Sequence, residues 1–188
     1  IRNMAEAGCV QIDFGVERGS DEALRLLKKG ITIRKIKDVF RLCDKYKIRT
    51  FANFLVNLPE EKEEDLDDII DLMNELNPEI VSLNIFTPYP GTEIYSNASY
   101  KFTKEEYPML AYATTLINTH PDKLKFAEHN TDLIEWTHKY HRQYNKTLNN
   151  VKFYLTKKYW TTLFKSKYKI NYLKNSVLLI KEFINQKI

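Results

Sequence analysis

The polar residues best placed to do chemistry stand where apolar runs give way to loops. Glu17 follows CVQIDFGV, Asn53 and Asn57 lie within and just after FANFLV, and the stretch from Thr87 to Thr92 follows IVSLNIF. A carboxylate in such a place accepts from hydroxyls or an ammonium, and an amide both donates and accepts. A glycine such as Gly91 lets the backbone approach a ligand closely. Other chemistries find less support. No GxGxxG, no P-loop and no Ser–His–Asp order occurs. His138 and His141 would share one helix face, as metal-binding pairs do, but no acid or cysteine stands at helical spacing to complete a site. They read as part of a helix surface, and no metal ligand is assigned. Cys9 and Cys43 lack CxxC pairing and read as inert thiols in a reducing, cytoplasmic setting.

These groups must be positioned by strands that alternate with helices. Gly8 stops a first helical stripe (Ile1, Met4, Ala5), and the β-rich run after it reads as a strand buried on both faces. Ser20, Asp21 and Glu22 cap the helix ALRLLKK, which Gly30 ends. Thr32 caps the next, with Ile33, Ile36, Phe40 and Cys43 on one face. RTFANFLV is a second strand, EEKEEDLDD opens a helix that Asn77-Pro78 stops, and IVSLNIF is a third strand. In a parallel α/β barrel the working residues sit at the C-terminal ends of the strands, which is where Glu17, Asn53, Asn57 and Thr87–Thr92 fall. Past residue 100 the pattern changes to polar–aromatic helices, expected over 103–118, 130–149 and 171–186. The division predicted is an α/β unit over 1–99 and an all-helical, Tyr-rich, basic extension over 100–188.

The three loop segments GVERGSDEALRLLKKGIT (15–32), NLPEEKEED (57–65) and PYPGTEIY (88–95) follow their strands in this order. The order resembles the second half of a radical S-adenosylmethionine (radical SAM) barrel, especially the branch that often carries an N-terminal cobalamin-binding domain. The resemblance covers residues 4–98, about half the chain. It implies a partial (β/α)6 TIM-like barrel, strands 4–6 with their helices, followed by the helical extension. It also implies that Glu17 holds the nucleoside or amino-acid part of SAM, that Lys29 meets the SAM carboxylate and that Asn53 lies near SAM. Gly91 and Thr92 would close the loop over it, with Tyr89 or Ile94 lining the adenine side. Without the resemblance, Glu17 reads as a cap or lysine partner, Lys29 as a solvated helix-end cation, Asn53 as a satisfied polar residue, and PYPGT as a sharp turn.

Two departures stand out. The family usually has Ser after the acid, where this chain has Arg18, and Gly-Leu-Pro-Gly-Glu-Thr where it reads Asn57-Leu58-Pro59-Glu60-Glu61-Lys62. Asn tolerates a left-handed backbone and Glu does so poorly, which questions the turn and the fit of SAM. The CxxxCxxC motif that holds the family's [4Fe–4S] cluster is absent from this chain. The cluster is therefore expected upstream of Ile1, with cobalamin a further expectation, and the 188 residues alone are expected to be inactive. The chain opens within a helical stripe and without Met, and reads as a piece of a longer protein. The parent would cleave SAM to a 5′-deoxyadenosyl radical for hydrogen abstraction or methylation of an unknown substrate. The alternative is a non-catalytic, degenerate half-barrel that binds a partner or a membrane surface. A third reading, a barrel binding a phosphorylated metabolite, lacks a phosphate-cradling glycine loop.

Charge is unevenly spread. Residues 1–100 carry 13 Lys and Arg against 18 Asp and Glu, whereas residues 151–188 carry nine lysines and one acid, Glu182. That basic tail interleaves lysines with aromatics. It reads first as helices packed on the barrel with lysines outward, next as a site for an anionic membrane surface, and last as a nucleic-acid site, for which no motif is present. No apolar run approaches the roughly 20 residues of a membrane span. Half a barrel leaves a strand edge and an apolar interior open, so self-association through that edge is expected.

Overall fold

The computed structural model describes residues 1–98, 100–108, 125–145 and 157–165, together with positions 155, 169–171, 173, 174 and 177. In chain order the elements are α1 (Arg2–Glu6), β1 (Gln11–Glu17), α2 (Asp21–Leu26), α3 (Ile33–Lys45), β2 (Arg49–Val56), α4 (Glu63–Leu76), β3 (Ile80–Ile85), α5 (Glu93–Asn97), α6 (Leu133–Tyr144) and α7 (Lys157–Lys165). The strands form one parallel sheet in the order β1-β2-β3, and helices make each crossover as parallel pairing requires. Register places Gly15 beside Asn53 and Asn53 beside Ser82.

Local signals account for the helix starts. Ser20 Oγ accepts from the Ala23 amide and Thr32 Oγ1 from the Lys35 amide, both at 3.3 Å. Asp65 reaches back to the Lys62 amide at 2.8 Å to open α4. Each such cap is worth about 1 kcal/mol. The end of α2 departs from the sequence expectation. The helix stops at Leu26, four residues before Gly30, and Lys28 takes the left-handed position with φ 54°. The Lys28 amide bonds Arg25 O at 2.9 Å and the Lys29 amide bonds Leu24 O at 3.0 Å, a Schellman closure built without glycine. Closing early turns Lys29 back toward the end of β1, which a helix continued to Gly30 could not do.

One face of the sheet carries the core. Val16, Ala52, Phe54, Val56, Val81, Leu83 and Ile85 pack against Leu24, Ile36, Phe40, Leu66, Ile69, Leu72 and Met73. Each fully buried side chain of this kind contributes about 1.5–3 kcal/mol. Phe102, Leu133 and Trp136 join the same core, and α6 lies against β3. The other face differs from the expected doubly buried, apolar one. Asp13, Gly15 and Asn84 are exposed, and Glu17, Phe51, Asn53, Leu55, Ile80 and Ser82 are half-buried, so it is open and mixes polar with apolar residues. Strand burial therefore alternates, as it must when helices cover only one side.

The two sheet edges are treated differently. On β3, the side-chain amide of Asn145 accepts from the Val81 amide at 2.9 Å and donates to Val81 O at 2.5 Å, standing in for a neighbouring strand. Among the described residues no strand pairs with the outer edge of β1. Of the helix expected over 103–118, the described part (103–108) is a turn, closed by the Thr103 amide on Glu106 Oε2 at 2.7 Å. The remainder lies outside the described residues. The helix expected over 130–149 runs Leu133–Tyr144, started by Asp132 on the Ile134 and Glu135 amides. That expected over 171–186 lies largely outside the described residues.

Candidate functional site

At the C-terminal end of β1 the register slips between Gly15 and Glu17, and Glu17 has φ 68°. This bulge, with the early reversal after α2, brings Glu17 Oε1 to 2.6 Å from Lys29 Nζ. The pair lies over Gly15. A Cβ there would come within 2.5 Å of Glu17 Oε1 and 3.0 Å of Lys29 Nζ, so a side chain at this position would displace the pair. Asn53, beside Gly15 in register, donates to Phe14 O at 3.3 Å. Three of the residues picked from sequence thus converge on one polar corner of the open face. The side chains of Glu17 and Lys29 remain 17% and 34% exposed, and their one contact leaves a carboxylate oxygen and two ammonium protons for a ligand.

Arg18 and Glu61 form a buried ion pair behind this corner, both side chains 3% exposed or less. The guanidinium also donates to Leu55 O at 3.1 Å and lies 3.3 Å from Asp65 Oδ1. Glu61 accepts from the Asn57 amide at 3.0 Å and stands 3.0 Å from His129 Nε2. Asn57 in turn donates to Phe86 O at 3.0 Å and accepts from the Phe126 amide at 2.9 Å. The network fixes the loop after β2 and ties residues 126–129 to it. Sequence reasoning missed it. In the sequence Arg18 stands out only as a departure and Glu61 only as part of an acidic helix start, and the partners are 43 and 68 residues apart.

Asn57 and Glu60 have φ 71° and 63°. The glycine-type turn is therefore kept without glycine. The doubt that these residues raised about the local turn is answered by the backbone itself.

Gly91 (φ 91°) and Thr92 shape the loop after β3 but do not touch the Glu17–Lys29 pair. Thr92 Oγ1 donates to Tyr89 O at 2.8 Å and accepts from the Tyr95 amide at 3.2 Å, capping α5. Thr92 and Ile94 line a cleft of about 850 Å³ with Arg18, Lys28, Glu60 and Phe126, whereas Tyr89 is exposed. Thr87 is buried, and its hydroxyl has no partner among the described residues.

The donor set at Glu17 and Lys29 fits the amino-acid end of SAM, since one anion and one cation side by side complement a carboxylate and an ammonium. The cysteines do not fit an iron–sulfur cluster. Cys43 is buried in α3 and Cys9 sits before β1, where its thiol donates to Gln11 O at 3.3 Å. No cluster of metal-ligating side chains occurs among the described residues, His138 and His141 included.

Residues 1–73 match the sequence profile of the Radical SAM superfamily. An uncharacterized methyltransferase of Pyrococcus horikoshii is 30% identical over 95 residues, 50% of this chain and 21% of the relative. An anaerobic magnesium-protoporphyrin IX monomethyl ester cyclase of Cereibacter sphaeroides is 25% identical over 112 residues, 60% of this chain and 18% of the relative. A tRNA-2-methylthio-N(6)-dimethylallyladenosine synthase of Baumannia cicadellinicola is 34% identical over 83 residues, 43% of this chain and 18% of the relative. The chain spans about a fifth of the length of these relatives.

Proposed function

We propose that this chain, whose residues 1–73 match the Radical SAM superfamily, supplies the SAM-holding part of a radical SAM enzyme. In this reading β1, β2 and β3 are strands 4–6 of a (β/α)6 barrel, and the open face is its interior. The carboxylate of Glu17 accepts from the ribose hydroxyls or the ammonium of SAM, and Lys29 meets its carboxylate. Asn53 offers an amide beside them, and the loop carrying Gly91 and Thr92 closes from the end of β3. SAM with a [4Fe–4S] cluster, held by residues outside this chain, supplies radical chemistry for hydrogen abstraction or methylation. The relatives named as methyltransferase and cyclase support that range of outcomes, and an additional cobalamin is in keeping with it. Residues 1–188 by themselves bind SAM without turning it over.

The observation that carries the reading is the Glu17–Lys29 pair, 2.6 Å apart and lying over Gly15, where a side chain would displace it. Equilibrium dialysis of the protein against SAM tests it. Saturable binding is expected, with Glu17→Gln raising Kd by about 10–100-fold, as for loss of a hydrogen bond to a charged group. Absence of SAM binding by a folded protein would leave the non-catalytic half-barrel as the better account. The positive φ at Asn57 and Glu60 weighs against that alternative, because the turn survives the loss of its glycines.

A further inference from the structure

The helix α7 presents two unlike faces. Tyr159 and Leu163 are buried, at 3% and 6%, while Trp160 and Phe164, one turn apart, are 46% and 67% exposed with ring centroids 6.2 Å from each other. Thr161 lines a small cavity with Cys9, Val10 and Lys47, which places α7 at the N-terminal ends of the strands. The Glu17–Lys29 corner is at their opposite ends. Downstream, Ile170, Leu173 and Val177 stand at helical positions and are all exposed. Their spacing of three and four puts them on one stripe, with exposed Lys169 and Lys174 beside it.

From these features we propose that the outward face of α7 and the stripe from Ile170 to Val177 form a docking surface for an anionic lipid bilayer. Two properties select this partner. The segment 151–188 holds nine lysines against one acid, so its surface attracts negative headgroups and repels a second copy of itself. Leu155, Ile170, Leu173 and Val177 are exposed aliphatic side chains, which enter an acyl boundary but offer no base-stacking platform to a nucleic acid, and Trp160 and Phe164 also suit the headgroup boundary. Among the described residues no helix is long and apolar enough to cross a membrane, and the contact proposed is one at the bilayer surface. Docking from the N-terminal ends of the strands leaves the proposed SAM corner facing away from the bilayer.

The two tryptophans make the test direct, since Trp136 is 9% exposed and Trp160 is 46% exposed. The protein is mixed with vesicles of phosphatidylcholine alone or with about 30 mol % phosphatidylserine. Binding is followed by co-sedimentation, by the tryptophan emission maximum and by quenching with brominated acyl chains. Expected are a blue shift and quenching with the anionic vesicles only, reversed by about 0.5 M salt, which shortens the reach of surface charge. Trp160→Ala/Phe164→Ala and, separately, Lys169→Glu/Lys174→Glu weaken binding about tenfold or more, while circular dichroism stays as in the parent. Equal binding to neutral vesicles overturns the proposal. So does an absence of vesicle binding, whether the same variants then abolish binding of a single-stranded RNA oligonucleotide or dissolve a dimer of this chain.

Discussion

Three non-glycine residues at or just after the strand ends hold a left-handed backbone, Glu17, Asn57 and Glu60, and for two of them the side chain shows why. Asn57 is locked by its bonds to Phe86 and Phe126, and Glu17 by its pair with Lys29. Glu60 is exposed and carries the left-handed cost with no such return. Glu60→Gly is therefore expected to raise stability by about 0.5–1 kcal/mol, read from the midpoint of urea unfolding. Gly15 makes the opposite prediction. It is exposed, so Gly15→Ala folds with a nearly unchanged midpoint, but the added methyl pushes Glu17 off Lys29 and weakens SAM binding about tenfold or more. A Gly15→Ala protein that binds SAM as the parent does would show that the pair is not the binding element. Glu17, Lys29 and Asn53 were legible from sequence as candidates because Glu17 ends a strand, Lys29 lies in a loop motif and Asn53 is a polar residue inside an apolar strand. Gly15 was not, because its role exists only once the Glu17 and Lys29 side chains fold over it.

Elements followed the sequence where local chemistry fixed them and departed where distant contacts did. The caps Ser20 and Thr32 and the stripe Ile36, Phe40 and Cys43 fall as the pattern predicts. The end of α2 and the pairing of Arg18 with Glu61 answer to β1 and to residues 126–129, which no local pattern encodes. Helix α6 carries a pH signature of its own. Partial desolvation of the ring, and then the charge of nearby His138, hold His141 below the usual 6.5. A lowered histidine pKa means that the unfolded chain takes up the proton first. Stability is then full above about pH 6.5 and falls as pH drops from there toward the folded-state value. Thermal unfolding between pH 7 and 5 should show this fall, and His141→Gln should flatten it. An unchanged slope in the variant would assign the effect to another group.

At the scale of the whole molecule the asymmetry of the sheet dominates. Asn145 closes the β3 edge, α6 covers β3, and helices bury one face, while among the described residues the other face stays open and no strand pairs with the outer edge of β1. Such an edge seeks a partner strand. Light scattering of these 188 residues should show association that grows with concentration, and a strictly monomeric species would mean that the β1 edge is protected. The central claim is that the open face holds SAM for radical chemistry in the full-length enzyme. The measurement that tests it most directly is 5′-deoxyadenosine formation by the full-length protein, reconstituted with iron and sulfide and supplied with SAM and a reductant. Formation of the nucleoside by the parent, with loss of most of it in Glu17→Gln at unchanged cluster content, is the result predicted. A full-length protein that assembles its cluster but forms no 5′-deoxyadenosine, or a Glu17→Gln variant that forms as much as the parent, would contradict the account.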